Sequence, residues 1–181
     1  AGDDTTGITI MRIVERLDAG PMLLRVATPI ESDDTGGSLH DRLAALGGTA
    51  LRTTIDALLA DSLQATDQDE ALVTYARKIE RGDRPLDWTQ DAATLERQVR
   101  ALSPAPLAVA ALGTLALNVL AARALDDTSD AAPGTLLEAS DAGLRIRCGR
   151  GALLLQTIQP PGKRALGARE FLNGYRKLLP L

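Results

Sequence analysis

Apolar positions in this chain follow three successive rhythms. Residues 8–14 and 21–27, rich in Ile, Val, Leu and Met, read as two strands. Between them lies Leu17-Asp18-Ala19-Gly20, a short acidic turn that Gly20 can bend. A polar loop, Glu31 to Gly37, follows. Leu39, Leu43 and Leu46, then Leu51, Ile55, Leu58 and Leu59, recur at helical period, with Gly47-Gly48 interrupting them. Ser38 and Asp41 stand at capping-box spacing, which predicts the helix start there. Strand, turn, strand and helix together predict the last part of an α/β domain over residues 1–62.

Residues 63–83 are polar and predict a surface linker. Thr89 is expected to cap a helix carrying Ala92, Leu95, Val99 and Leu102, which Ser103-Pro104-Ala105-Pro106 ends. The period then shortens. Leu107–Leu112 and Leu115–Leu120 flank Gly113-Thr114, a hairpin signal. Thr135–Glu138, Leu144–Arg147 and Ala152–Ile158 are the remaining strand candidates, separated by glycine turns. Five short strands in so little chain predict a small β-barrel within residues 84–181. A helix over 168–173 is expected to close at Gly174.

Composition narrows the chemistry. Hydrophobic residues make up 45% and aromatic residues 2% of the 181, so the core must be built from Leu, Ala, Val and Ile. A single cysteine excludes an internal disulfide and a cysteine-cage metal site, and fits a reducing, cytoplasmic setting. No apolar run reaches membrane-spanning length. Net charge is −4, but it is unevenly spread. Residues 1–82 carry 8 Lys/Arg against 14 Asp/Glu, whereas 141–181 carry 8 against 2. A local positive field reaches about 10 Å at ordinary salt, enough to attract phosphates to an acidic protein. Leu144, Ile146 and Cys148 alternate with Arg145 and Arg147, giving one apolar and one basic face. Taken alone, that pattern describes either a phosphate-binding surface or a solvated strand face.

On residues alone, Asp18 is a turn former or a catalytic carboxylate. His40, the only histidine, reads as a surface residue of the first helix. Trp88 reads as a packing residue and Cys148 as inert core.

The order of residues around Asp18 adds a resemblance. Gly2-Asp3, Thr6-Gly7-Ile8-Thr9-Ile10-Met11, Leu17-Asp18, Gly20 and Met22 resemble the aspartate loop of the folate-dependent formyltransferases, in the branch that acts on methionyl-tRNA. It continues through Asp69-Glu70-Ala71, Thr74-Tyr75-Ala76, Lys78-Ile79, Leu86-Asp87-Trp88 and Leu95-Glu96-Arg97. Pro133-Gly134-Thr135, Gln159-Pro160, Gly162-Lys163-Arg164 and Glu170-Phe171-Leu172 complete it. The resemblance implies an α/β remnant of a Rossmann-like formyltransferase domain (1–62), a linker (63–83) and a small OB-like β-barrel domain that binds tRNA (84–181). It implies transfer of a formyl group from 10-formyltetrahydrofolate, without metal, to the amino group of methionyl initiator tRNA.

By resemblance, Asp18 matches the catalytic aspartate, and Arg77, Lys78, Arg145, Arg147, Arg150, Lys163 and Arg164 are tRNA-binding candidates. The family's Asn-x-His and Ser-Leu-Leu-Pro segments have no counterpart here, so the resemblance implies a chain that is incomplete and inactive alone. The strands over 8–14 and 21–27 are then expected to expose edges and to associate or lose order. Ser103-Pro104-Ala105-Pro106-Leu107 also lacks the aromatic residues the family commonly places there. The resemblance also admits the same transfer to another amine or a folate hydrolase, and the alternative outside it is an RNA-binding barrel without catalysis.

Overall fold

The structure, a computed structural model, describes residues 2–180 and divides into two compact units. One comprises Ala1–Asp34 with Ser38–Lys78; the other comprises Thr35–Gly37 with Ile79–Leu181.

In the first unit, β1 (Thr5–Met11) and β2 (Met22–Pro29) form an antiparallel hairpin, in register from Thr5 opposite Pro29 to Ile10 opposite Leu24. The strands alternate exposed and half-buried positions, as a two-sided ribbon does. Helix α1 (Gly36–Leu59) is continuous through Gly47-Gly48, where the apolar pattern is interrupted. Gly47 faces the Ile8 side chain of β1, and a Cβ there would sit at ordinary contact distance, 3.9 Å. The helix also starts two residues before the predicted cap. Ser38 is not its N-cap, because its hydroxyl donates to Asp34 Oδ1 at 2.9 Å. Leu51, Ile55, Leu58 and Leu59 are exposed along α1. β1 and β2 form a two-stranded sheet, and a short bridge between Met22 and Thr66 follows on the β2 side.

The second unit holds the core. α2 (Ala92–Ala101) is capped by Asp91, whose carboxylate accepts from the Thr94 N–H at 2.7 Å. The expected cap, Thr89, instead donates its hydroxyl to Asp87 at 2.7 Å. A cap two residues later still fits the pattern, because Ala92, Leu95 and Val99 are the buried face. Six strands follow: β3 (Ala108–Leu112), β4 (Leu115–Leu125), β5 (Leu136–Ser140), β6 (Gly143–Arg147), β7 (Ala152–Gln159) and β8 (Leu166–Gly167). Gly113, at φ +57°, makes the tight β3–β4 turn. Helix α3 (Ala168–Tyr175) passes through Gly174 instead of ending there, and a 3-10 turn at Arg176–Leu178 extends it.

The strands pair in the order β3-β4-β7-β6-β5, with β8 beside β7, all antiparallel. No strand pairing joins β3 to β5 among the described residues, so the sheet is not a closed barrel. The outer edge of β3 is already taken. Leu86 N–H donates to Val109 O at 2.9 Å, and Val109 N–H donates to Arg84 O at 2.7 Å. The main chain that precedes α2 thus uses the hydrogen bonds that closure would need.

The inner face packs Leu117, Val119, Leu144, Ile146, Leu153, Leu155 and Ile158 against Leu95, Val99 and Phe171, all fully buried. Trp88 packs against this core and donates to Ala111 O, with Gly134 leaving room for its ring. Cys148 is buried, and desolvation pushes its thiol up to about 11, which makes it an unreactive core residue. Phe171 stacks on Tyr175 with ring centroids 4.8 Å apart. Phe171→Ala should cost about 3–5 kcal/mol, the usual price of emptying a buried aromatic site. Urea unfolding followed through Trp88 fluorescence measures it, with the midpoint falling and the slope unchanged.

Candidate functional site

The loop joining β1 to β2 holds Asp18 on a constrained backbone. Arg12 N–H donates to Pro21 O at 2.9 Å and closes the loop at its base. Gly20 is buried inside that closure, and a Cβ there would lie 1.7 Å from the Arg12 carbonyl oxygen. No side chain fits, so the glycine is required by space rather than by dihedral freedom. Asp18 itself takes φ +52°, in the left-handed region that short polar residues tolerate best.

Gln68 meets this loop from the segment after α1. Its amide Nε2 donates to Asp18 O at 2.7 Å and to Gly20 O at 2.8 Å, and lies 3.8 Å from Met11 Sδ. Reciprocal main-chain bonds between Met22 and Thr66, at 2.8 and 2.9 Å, bring position 68 to the loop. A non-glycine residue in a sparsely populated backbone region costs about 1–3 kcal/mol. Two net hydrogen bonds of about 0.5–1.5 kcal/mol each can offset that. The Asp18 side chain is exposed, and among the described residues its carboxylate engages no hydrogen-bond donor. The loop therefore spends its main chain on rigidity and leaves the acid available. Arg16 and Glu70 pair at 2.8 Å on the exterior, where such a pair contributes little.

A second acid organises the end of β2. Asp34, only 7% exposed, accepts from Glu31 N–H at 2.8 Å, from Ser38 Oγ and from both terminal nitrogens of Arg42. Arg42 Nη2 also donates to Pro29 O at 2.8 Å, tying the last residue of β2 to α1. The Arg42 hydrogen bonds, then the Glu31 N–H, hold the Asp34 carboxyl at about 2. Periodicity alone gave no sign of this network or of Gln68. The visible clue to the network was an acid four residues before a serine and eight before an arginine, at helical spacing.

The basic candidates separate into three groups. Arg77 and Lys78 lie on an exposed stretch of the first unit. Arg145 and Arg147 project from β6 opposite buried Leu144 and Ile146, as the alternation predicts. Strand register sets Glu138, Arg145, Leu154 and Arg123 in one row across β5, β6, β7 and β4. Arg147 is largely committed: Nη1 donates to Gly151 O at 2.7 Å, and Nε lies 4.0 Å from Asp127. Arg150 is 84% exposed and loosely paired with Asp91 at 3.7 Å. Lys163 is exposed, and Arg164 pairs with Glu170. Arg123, missed in the sequence reading, is exposed on this surface. His40 is exposed on α1. Among the described residues no three His, Cys, Asp or Glu side chains gather as a metal cage, and no helix is long and apolar enough to cross a membrane.

Comparison with known proteins places these features in a family. Residues 78–176 match the family described as "Formyl transferase, C-terminal domain", and residues 1–55 match "Formyl transferase". The chain belongs to the formyl transferase family. It is 49% identical over 175 residues to a methionyl-tRNA formyltransferase of Methylococcus capsulatus, covering 97% of this chain and 56% of that protein. A protein of the same name from Pseudomonas paraeruginosa is 47% identical over 177 residues, covering 98% and 56%. This formyl transferase chain thus spans little more than half the length of the curated relatives it matches. Its fold matches HypX from Aquifex aeolicus, solved with tetrahydrofolic acid, at a TM-score of 0.72 and 20% identity, over 98% of this chain and 32% of that one. Gln68 falls in the stretch between the two family matches.

The Asp34 network gives a pH prediction. Its folded carboxyl lies below the ordinary 3.8, so its stabilisation is present above that value and is lost as pH falls toward about 2. Amide exchange in β2, corrected for intrinsic rate, should accelerate between pH 4 and pH 2. Asp34→Asn should be faster at neutral pH and nearly flat across that window.

Proposed function

We propose that this chain is the aspartate-loop and RNA-binding portion of an enzyme that transfers a formyl group from 10-formyltetrahydrofolate to the amino group of methionyl initiator tRNA in the cytoplasm. The observation that carries this reading is its 47–49% identity, over nearly all of its length, to proteins named methionyl-tRNA formyltransferase. The amine attacks the formyl carbon as the free base, and a negative charge develops on the formyl oxygen. The amine nitrogen sheds a proton as the bond from the formyl carbon to N10 breaks and N10 takes up a proton, releasing tetrahydrofolate. Asp18 suits the loss of the amine proton. Its carboxylate is exposed and unengaged, and its backbone is fixed, so it can orient the amine and take the proton without reorganising. No Asn-x-His sequence occurs in these 181 residues, so in this reading the oxyanion donors come from outside them.

In the second unit, Arg145, Arg150, Lys163 and Arg164 are the contacts for tRNA phosphates; Arg77 and Lys78, on the exposed stretch of the first unit, are further phosphate contacts in this reading. Arg147 supports the β6–β7 turn and contributes charge more than contact. Phosphate contacts of this kind position the RNA and do not read its sequence.

Filter binding to initiator tRNA over a salt series tests the RNA surface. Affinity should fall steeply with salt, and Arg150→Ala should lower the log–log slope by about 1. Binding without salt dependence overturns it. In an enzyme carrying both this chain and the Asn-x-His segment, Asp18→Asn should lower kcat by about 100-fold or more and leave tRNA affinity within about twofold.

A further inference from the structure

We propose that Gln68 is a positioning residue for the reaction, a latch that holds the Asp18 main chain in its left-handed conformation. This rests on the reading of Asp18 as the formyl-transfer carboxylate. Three observations converge on it. One amide nitrogen bonds the carbonyls of both Asp18 and Gly20, and so spans the residue between them. The paired main chains of Met22 and Thr66 bring position 68 against the loop, two residues further along the strap. Gln68 is half-buried between mostly exposed neighbours, with only its nitrogen directed at the loop carbonyls. A side chain of this length with a donor at its tip can reach both carbonyls, two residues apart in the chain, to which no other described protein donor bonds. The two donors of an amide can serve both acceptors. A carboxylate in the same place would present only acceptors, and a methionine would present no donor.

The distinction makes the proposal testable on the chain itself. Gln68→Glu is isosteric. At pH 7 its charged tip faces two carbonyl oxygens and the latch opens. Near pH 4 the protonated acid regains one O–H donor and the latch partly recloses. The reporters are the amides of Arg12, whose hydrogen bond to Pro21 O closes the loop, and of Met22, whose hydrogen bond to Thr66 O ties the strap to β2, followed by NMR exchange corrected for intrinsic rate. At pH 7, Gln68→Glu should exchange these amides about tenfold or more faster than the native chain, with Ile8 and Val26 unchanged. At pH 4 the excess should shrink to about threefold or less. Gln68→Met should be fast at both values.

Other titratable groups on the loop and its strap are Glu15, Asp18, Asp67, Asp69 and Glu70, with Arg12 and Arg16 beside them. They are present in the native chain too, so the native pH series subtracts them. Native-like exchange in Gln68→Glu at pH 7, or fast exchange that persists at pH 4, overturns the latch. If Gln68→Glu does not fold, the contrast between Gln68→Met and the native chain at pH 7 decides. In the transfer assay, Gln68→Glu should lower kcat without changing KM for tRNA. Asp18→Asn should leave Arg12 and Met22 exchange native. Should Asp18→Asn instead keep full transfer, the catalytic reading fails while the latch is judged on exchange alone.

Discussion

The contact of Gly20 with the Arg12 carbonyl, too close for any side chain, governs the proposed site. With that approach, Arg12 and Pro21 join main chain to main chain and the loop leaves the hairpin as a narrow neck. Without it, the neck would widen, β1 and β2 would diverge before Met11 and Met22, and the Gln68 amide would lose one of its two acceptors. The acid at the loop tip is thus held by a chain of main-chain constraints that begins with an absent methyl group.

The two units solve different physical problems. The second has a core, where a nearly aromatic-free set of Leu, Ile and Val packs around one phenylalanine. Its outer surface is then free to carry arginines at alternate strand positions. The first has little core; among its buried residues are Ala50, Thr54, Asp34 and Gly20. Its order depends more on directional bonds: the Asp34–Arg42 network at one end of the hairpin and the Gln68 amide at the other. Such an arrangement fixes geometry well, and it answers to pH and to single donor losses more than a packed core does.

Much of this was legible in the sequence where periodicity speaks. The helix faces of Leu95 and Val99 and the Leu144–Arg145–Ile146–Arg147 alternation follow from spacing alone, whereas the first strand, expected over 8–14, ends at Met11, where Arg12 turns into the loop closure. The misses are cases where a polar side chain had several partners to choose from. Thr89 and Asp91 are both good caps, and only the position of the core selects Asp91. Ser38 could cap a helix, but buried Asp34 claims its hydroxyl. Barrel closure looked natural from strand count, yet Arg84 and Leu86 occupy the edge of β3, and a strand count does not reveal what lies on an edge. Gln68 was invisible for a related reason: a glutamine in a polar stretch carries no periodic signal, and its partners lie 48 and 50 residues away. The family resemblance supplied the proposed role of Asp18, which its local pattern left open between acid and turn.

The left-handed backbone at position 18 also restricts which mutational routes are open. Asparagine and glycine would keep the turn at little cost and give up the charge. Glutamate would keep the charge, but its longer chain has no comparable ease in that backbone region and would carry the carboxylate outward. Under the proposed role, conformation and chemistry filter the same codon from different sides, and aspartate is the residue that passes both.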